Sequence, residues 1–245
     1  MKNRTLVISD IHGCYDEFNL LLKKVEYNPL EDELILLGDY CDRGLQTKEV
    51  IEHVILLHEE WGVTALLGNH DQMMIDAFKL NDDSYDAHWI RNGGMQTIIS
   101  YCGHDYFPNG FEWDTYYKAK ESIKTYYQHH LDFLPNLKLY HETEKYIYVH
   151  AGINPIYDNW REQPEDDFIW IRNKFFDYPT RADKVIVFGH TPTINLHNNE
   201  NIWFGPLGDK IGVDGGCVYG FQLNCLEISG EGYTSHFVKR GAIDE

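Results

Sequence analysis

A mixed α/β fold, with two β-sheets packed as a sandwich and helices on the outside, is the architecture this 245-residue chain predicts. Three observations carry that reading. Short apolar runs recur and each ends in a Gly- or Asp-containing motif, the pattern of strands covered on both faces. The first 80 residues alternate strand, helix, strand, helix, strand, which predicts a mainly parallel sheet with right-handed crossovers. After a long helical stretch, strands return and the chain ends in a β-rich tail.

In order, strands are expected at 5–9, 33–37 and 63–67, with helices at about 15–26 and about 46–60 between them. The second helix places Val50, Ile51, Val54, Ile55 and Leu57 on one face against polar Lys48, Glu49, Glu52 and Glu59. From about 72 to 135 the pattern is helical and aromatic-rich, with Phe107, Phe111, Trp113, Tyr116, Tyr117, Tyr126 and Tyr127. It reads as a cap-like insertion over a site. Strands follow at about 137–141, 145–149 and 185–189, then at 201–204, 211–213, 218–228 and 233–238. No linker-like composition shift divides the chain, so one domain spanning 1–245 is expected.

Composition sets limits on function. With 43% hydrophobic and 14% aromatic residues, the chain can bury a sizeable core. A net charge of −18 repels polyanions and argues against extended nucleic-acid binding. Five Cys without a CxxC pair fit a reducing compartment rather than a disulfide framework. The apolar run Leu6-Val7-Ile8 is too short for a leader or a membrane span, so a cytoplasmic protein without a membrane partner is expected.

Five motifs sit at strand ends in one order: Asp10-Ile11-His12-Gly13, Gly38-Asp39-Tyr40-Cys41-Asp42-Arg43-Gly44, Gly68-Asn69-His70-Asp71, Val149-His150-Ala151-Gly152 and Gly189-His190-Thr191. Each alone is weak in a chain with 13 His and 39 acidic residues. Together they bring Asp, His and Asn to the carboxyl ends of strands, where α/β sheets bind ligands. Such hard-to-borderline donors suit Mn, Fe, Co or Zn over thiophilic ions.

This ordered set resembles the calcineurin-like metallophosphoesterase superfamily, and within it the bacterial phosphoprotein-phosphatase branch of serine/threonine phosphatases and diadenosine tetraphosphatases. Matching segments run from residue 6 to about 228 and include Trp89-Ile90-Arg91-Asn92-Gly93-Gly94, Thr97, Ser100-Tyr101 and Trp170-Ile171-Arg172. Nuclease-like members end in G-H-x-H, whereas here the segment is Gly189-His190-Thr191-Pro192, which with Arg43 favours the phosphatase branch.

The resemblance implies the four-layered fold of that superfamily and two divalent ions, manganese foremost, with iron, zinc, cobalt or nickel as alternatives. It assigns one ion to Asp10, His12 and Asp39, and the other to Asp39, Asn69, His150 and His190, with Asp39 bridging. A bridging hydroxide would attack phosphorus directly, His70 would protonate the leaving oxygen, and Arg43 and Arg172 would clamp the phosphate. Asp42 is expected to bond the second nitrogen of His70 and hold it protonated, because a carboxylate partner raises an imidazole pKa. Gly152 and Gly189 are expected to permit close backbone approach. Cys41 reads as a small buried residue, and Asn92-Gly93-Gly94 as a turn with a substrate-facing role in view.

For substrate, phosphoserine or phosphothreonine of a protein leads. Symmetrical hydrolysis of diadenosine tetraphosphate to two ADP is the rival; the cap's aromatics and Lys118, Lys120 and Lys124 could serve it. A catalytically dead phospho-binding relative is the third reading, although no ligand is missing. The other histidines, His53, His58, His88, His104, His129, His130, His141, His197 and His236, are expected on solvated faces.

Overall fold

The computed structural model describes residues 2–80, 82–108 and 110–242; Met1, Asn81, Asn109 and residues 243–245, which the single-domain expectation also spans, lie outside the described residues. The chain runs β1 (Arg4–Ile8), α1 (Tyr15–Lys24), β2 (Asp32–Leu36), α2 (Thr47–Trp61) and β3 (Thr64–Ala65). Helices α3 (Asn69–Lys79), α4 (Asp83–Trp89), α5 (Met95–Cys102), α6 (Trp113–Tyr126) and α7 (Gln128–Phe133) follow. Then come β4 (Tyr140–Glu142), β5 (Tyr146–Val149), α8 (Glu165–Trp170), α9 (Asn173–Asp177), β6 (Val185–Phe188), β7 (Trp203–Phe204), β8 (Lys210–Gly212), β9 (Gln222–Ser229) and β10 (Gly232–Lys239).

Two five-stranded mixed sheets result, in the orders β10-β9-β1-β2-β3 and β4-β5-β6-β8-β7. β1, β2 and β3 are parallel, as are β5, β6 and β8, so each set of strand ends points one way. The period-2 geometry of the strands divides their side chains between layers. Val7, Ile35 and Leu37 of the first sheet meet Tyr148, Val187 and Ile211 of the second in the centre of the sandwich. Their neighbours Leu6, Ile8, Leu34 and Leu36 face α1 and α2, and Ile147, Val149, Ile186 and Phe188 face α8 and α9. Because each fully buried branched or aromatic side chain is worth roughly 1.5–3 kcal/mol, this two-sided burial anchors the strands whose ends carry the motifs.

Helix α2 buries the expected face, Val50, Ile51, Val54, Ile55 and Leu57. It stops at Gly62, whose left-handed φ of 68° lets its N–H return to the His58 carbonyl. Several strand expectations shift, and two of the shifts have a visible cause. β3 keeps only two residues, because Leu66 bridges to Lys138 and the Leu67 N–H donates to the Lys138 carbonyl, so the chain leaves the first sheet for the second. The strand expected from 218 begins at Gln222, since Cys217–Tyr219 form a 3-10 turn closed by left-handed Gly220. No helix among the described residues is long and apolar enough to cross a membrane.

Candidate metal centre

The turns after β1, β2, β3 and β6 converge on one cavity of about 400 Å³, lined by Asp10, Asp39, Arg43, Asn69, His70, Arg172 and His190 among others, and His150 after β5 reaches Asn69 beside it. Of the seven described non-glycine residues with positive φ, six belong here: Asp10, His12, Asp39, Asp42, Arg43 and His190. Left-handed backbone at such positions costs roughly 1–3 kcal/mol each, and it clusters where a site demands it. Two glycines make room. A methyl at Gly68 would strike the Asp39 carboxylate, and one at Gly189 would strike Ser9 and Asp10.

Asp39 has the geometry of a bridge. Its Oδ2 lies 3.3 Å from His12 Nε2 and its Oδ1 lies 3.5 Å from His150 Nε2, so the two oxygens face different imidazoles. His12, Asp39 and His70 hold one donor atom each within 4.8 Å of one another, and Asp39, His150 and His190 do the same. Asn69 Oδ1 is 3.0 Å from His150 Nε2. Asp10 lines the same cavity but turns its Oδ2 to the Ser9 hydroxyl and the His190 amide.

Each imidazole is oriented from behind. His12 Nδ1 lies 2.7 Å from the Cys41 carbonyl, and His150 Nδ1 lies 2.9 Å from the Leu37 carbonyl. An Nδ1–H donated there leaves each Nε2 on the side of Asp39, the arrangement a metal-binding imidazole uses. Burial holds His12, His150 and His190 below the ordinary histidine pKa, so they are neutral donors. His190 Nε2 is buried with no hydrogen-bond partner. Burial, then Asp10 and Asp71, pushes Asp39 well above the usual carboxylate range. An orphaned imidazole nitrogen beside crowded carboxylates is the electrostatic complement of bound cations, so these residues fit divalent ions.

Beside this cluster, His70 Nδ1 lies 2.7 Å from Asp42 Oδ2. Asp42 is fully buried; Trp89 Nε1–H and the Thr97 hydroxyl both donate to its Oδ1 at 2.8 Å. The expectation that Asp42 raises the His70 pKa is corrected. Burial lowers His70 to about 2, helped by Arg43, His150 and Arg172, while burial lifts Asp42 to about 7. Burial of both partners therefore disfavours a separated Asp42–His70 ion pair in this dry pocket.

Arg43 Nη1 lies 2.7 Å from His12 Nε2, its guanidinium rests over the Tyr219 ring, and its N–H donates to the Gly93 carbonyl at 3.1 Å. Arg172 is exposed and donates to the Thr191 hydroxyl at 3.0 Å. Asn92 lines the cavity. Lys118, Lys120 and Lys124 do not; Lys120 is buried against Asp86, and Lys124 pairs with Glu121.

A calcineurin-like phosphoesterase family model matches residues 3–220. The chain belongs to that family. Calcineurin-like phosphoesterases are metal-dependent hydrolases with a dinuclear centre. The asymmetrical bis(5'-nucleosyl)-tetraphosphatase PrpE of Anoxybacillus flavithermus is 29% identical over 245 residues, covering 90% of this chain and 88% of that one. Serine/threonine-protein phosphatase 2 of Salmonella typhimurium is 29% identical over 192 residues, covering 75% and 78%. In fold, the chain is similar to a metallophosphoesterase from Sphaerobacter thermophilus, with a TM-score of 0.57, 17% identity and coverage of 98% and 90%.

Several residues outside the expected donor and catalytic set also shape the centre. Asp71 is fully buried, and its carboxylate accepts from the Asp39, Tyr40 and Gly68 amides at 2.8, 3.0 and 3.0 Å, fixing the turn that carries Asp39. It stands inside the quoted Gly68–Asp71 motif, which was the available signal. Asp214 is buried, lines the cavity and sits just after β8. Its signal was the Asp214-Gly215-Gly216 sequence at one more strand end. Trp89 and Thr97 stand 47 and 55 positions from Asp42, a separation no local pattern reveals. One histidine expectation is also corrected: His130 is fully buried between Tyr101 and Glu52.

Proposed function

We propose that this phosphoesterase hydrolyses phosphoserine and phosphothreonine monoesters of proteins, with diadenosine tetraphosphate as the second reading. The observation that carries the choice is the cavity's charge. Arg43 and Arg172 are the cationic side chains lining it, enough for one phosphoryl group, and none of the lysines suggested for a polyphosphate chain lines it. The second reading draws on Trp170, Tyr219 and Phe221, which line the cavity and could stack a base, and on the name of the A. flavithermus relative.

Asp10, His12 and Asp39 would hold one divalent ion, and Asp39, Asn69, His150 and His190 the other, with manganese the first to load. When bound, such a pair supplies Lewis acidity for phosphate oxygens and an acidified water as nucleophile. The chain's own groups do the rest. Arg43 and Arg172 pair with the phosphoryl oxygens and hold phosphorus in line. His70 gives its Nε2 proton to the leaving seryl or threonyl oxygen, and Asp42 fixes the ring through Nδ1 and resupplies the proton. Asp71 keeps the Asp39 turn in register. Helices in 72–135 act as a cap, a role supported by Asn92 at the cavity and by Trp89 and Thr97 on Asp42, and the chain works as one domain.

The test is kcat/KM for a phosphothreonine peptide beside diadenosine tetraphosphate, using Mn-reconstituted protein and the Asp39→Asn variant as blank. Preference for the peptide is expected. Preference for the dinucleotide replaces the first reading with the second, and the products, two ADP or ATP with AMP, then report which phosphorus is attacked.

A further inference from the structure

Outside the cavity lining, Glu52 of α2 meets consecutive histidines of α7. Its Oε2 lies 2.8 Å from His130 Nε2 and 3.3 Å from His129 Nε2, and the three donor atoms lie within 4.8 Å of one another. We infer that Glu52, His129 and His130 form a separate site for one transition-metal ion of the zinc class, tying α7 to α2.

Four features support the site. A tetrahedral ion about 2.0–2.1 Å from each donor separates donors by roughly 3.3 Å, so only small side-chain shifts are needed. His130 is pre-oriented, because its Nδ1 lies 2.7 Å from the Tyr101 hydroxyl, which leaves Nε2 for the ion and supplies the outer hydrogen bond that ligating imidazoles use. Burial lowers the His130 pKa, so the ring is a neutral donor at pH 7. His129 and Glu52 side chains are 54% and 61% exposed, which admits the ion and leaves its remaining position to water. The nearest cation, Lys48, is engaged with Glu49 at 3.2 Å.

The donor set selects the ion. Two imidazoles and one carboxylate favour Zn, Ni or Cu, whereas Mg and Ca prefer all-oxygen shells. The bound ion also gains a route to the catalytic loops. Tyr101, which braces His130, lies one helical turn after Thr97 on α5, and Thr97 donates to Asp42. A metal tying α2 to α7 through His130 therefore steadies the helix that holds the Asp42–His70 pair.

Zinc alone is the probe, added to the full chain. In an Asp39→Asn background, which disables the catalytic cluster, calorimetric titration is expected to give one equivalent of Zn²⁺ more than in Asp39→Asn/His129→Ala. His129 is exposed, so its removal leaves the core untouched, and Glu52→Gln provides an isosteric second variant. Zinc should also raise the wild-type Tm by more than that of Glu52→Gln. Equal zinc stoichiometry in the three backgrounds overturns the site, whatever substrate the enzyme prefers.

Discussion

Two carboxylate–imidazole pairs in this molecule differ most in how far the acid is exposed, and their behaviour diverges. Asp42–His70 and Glu52–His130 are nearly the same length, 2.7 and 2.8 Å. Both imidazoles are buried. In the first pair the carboxylate is buried too, and its pKa rises to about 7. In the second the carboxylate is mostly exposed, and His130 and His129 pull its pKa below the usual range. Hydration of the acid, not the contact distance, decides where the proton rests. Burial raises the affinity of the dry carboxylate for a proton, whereas the wet carboxylate is held as an anion that can face a cation.

The largest test of that contrast removes the charge both catalytic clusters share. Asp39→Asn should abolish bound catalytic metal and turnover together while leaving the Glu52 cluster unaltered; stoichiometric metal with full activity would refute the bridge. Next, His70→Asn should retain metal yet lower kcat by roughly 10²–10⁴. The loss should shrink for phenolic esters with good leaving groups, and an unchanged rate on alkyl phosphates sinks the acid role.

Thr97→Val removes a hydroxyl that accepts from the Asp42 amide and donates to its carboxylate. Leaving those groups unpartnered should cost about 1–3 kcal/mol, read as a lower urea midpoint, together with a fall in kcat. The smallest effect belongs to the wet pair. Glu52→Gln should change stability by less than about 1 kcal/mol at neutral pH without zinc, because its ion pairs are solvent-screened. The sign follows from its depressed pKa: the Glu52 contribution is present above the ordinary glutamate value of 4.5 and is lost as pH falls through the lower folded value. The acid limb of the stability curve should therefore flatten slightly in Glu52→Gln, and a steeper limb would reverse the assignment.

Much of the fold was legible because buried strands advertise themselves. Leu34–Leu37 and Val185–Phe188 are apolar at every position, and the structure uses alternate residues for the two faces. The shortened β3 was not legible, since its end depends on pairing with Lys138, over seventy positions away. At the site, the residues proposed as metal donors stand in strand-end motifs. The contacts of their supports are not legible there. Trp89 stands in a segment that carries the family resemblance, but its partner is not readable there: the tertiary packing of α4 brings its Nε1–H to Asp42. Asp71 closes a strand-end motif, yet the motif does not say that its carboxylate accepts from the Asp39 and Tyr40 amides of another loop. His130 was misread because a histidine beside exposed His129 looks solvated, and the burial comes from α2 and α5 packing over it.

Gly68 carries no donor to any ligand, yet its missing side chain is what lets the Asp39 carboxylate lie flat against the next loop. In a map of tolerated substitutions this position should be as empty as the histidine columns. Changes there would silence the enzyme with every donor atom intact, and no second-site side chain could restore the lost space. Substitutions in the crossing loops should therefore cost the chemistry, whereas the exposed faces of the outer helices should absorb them.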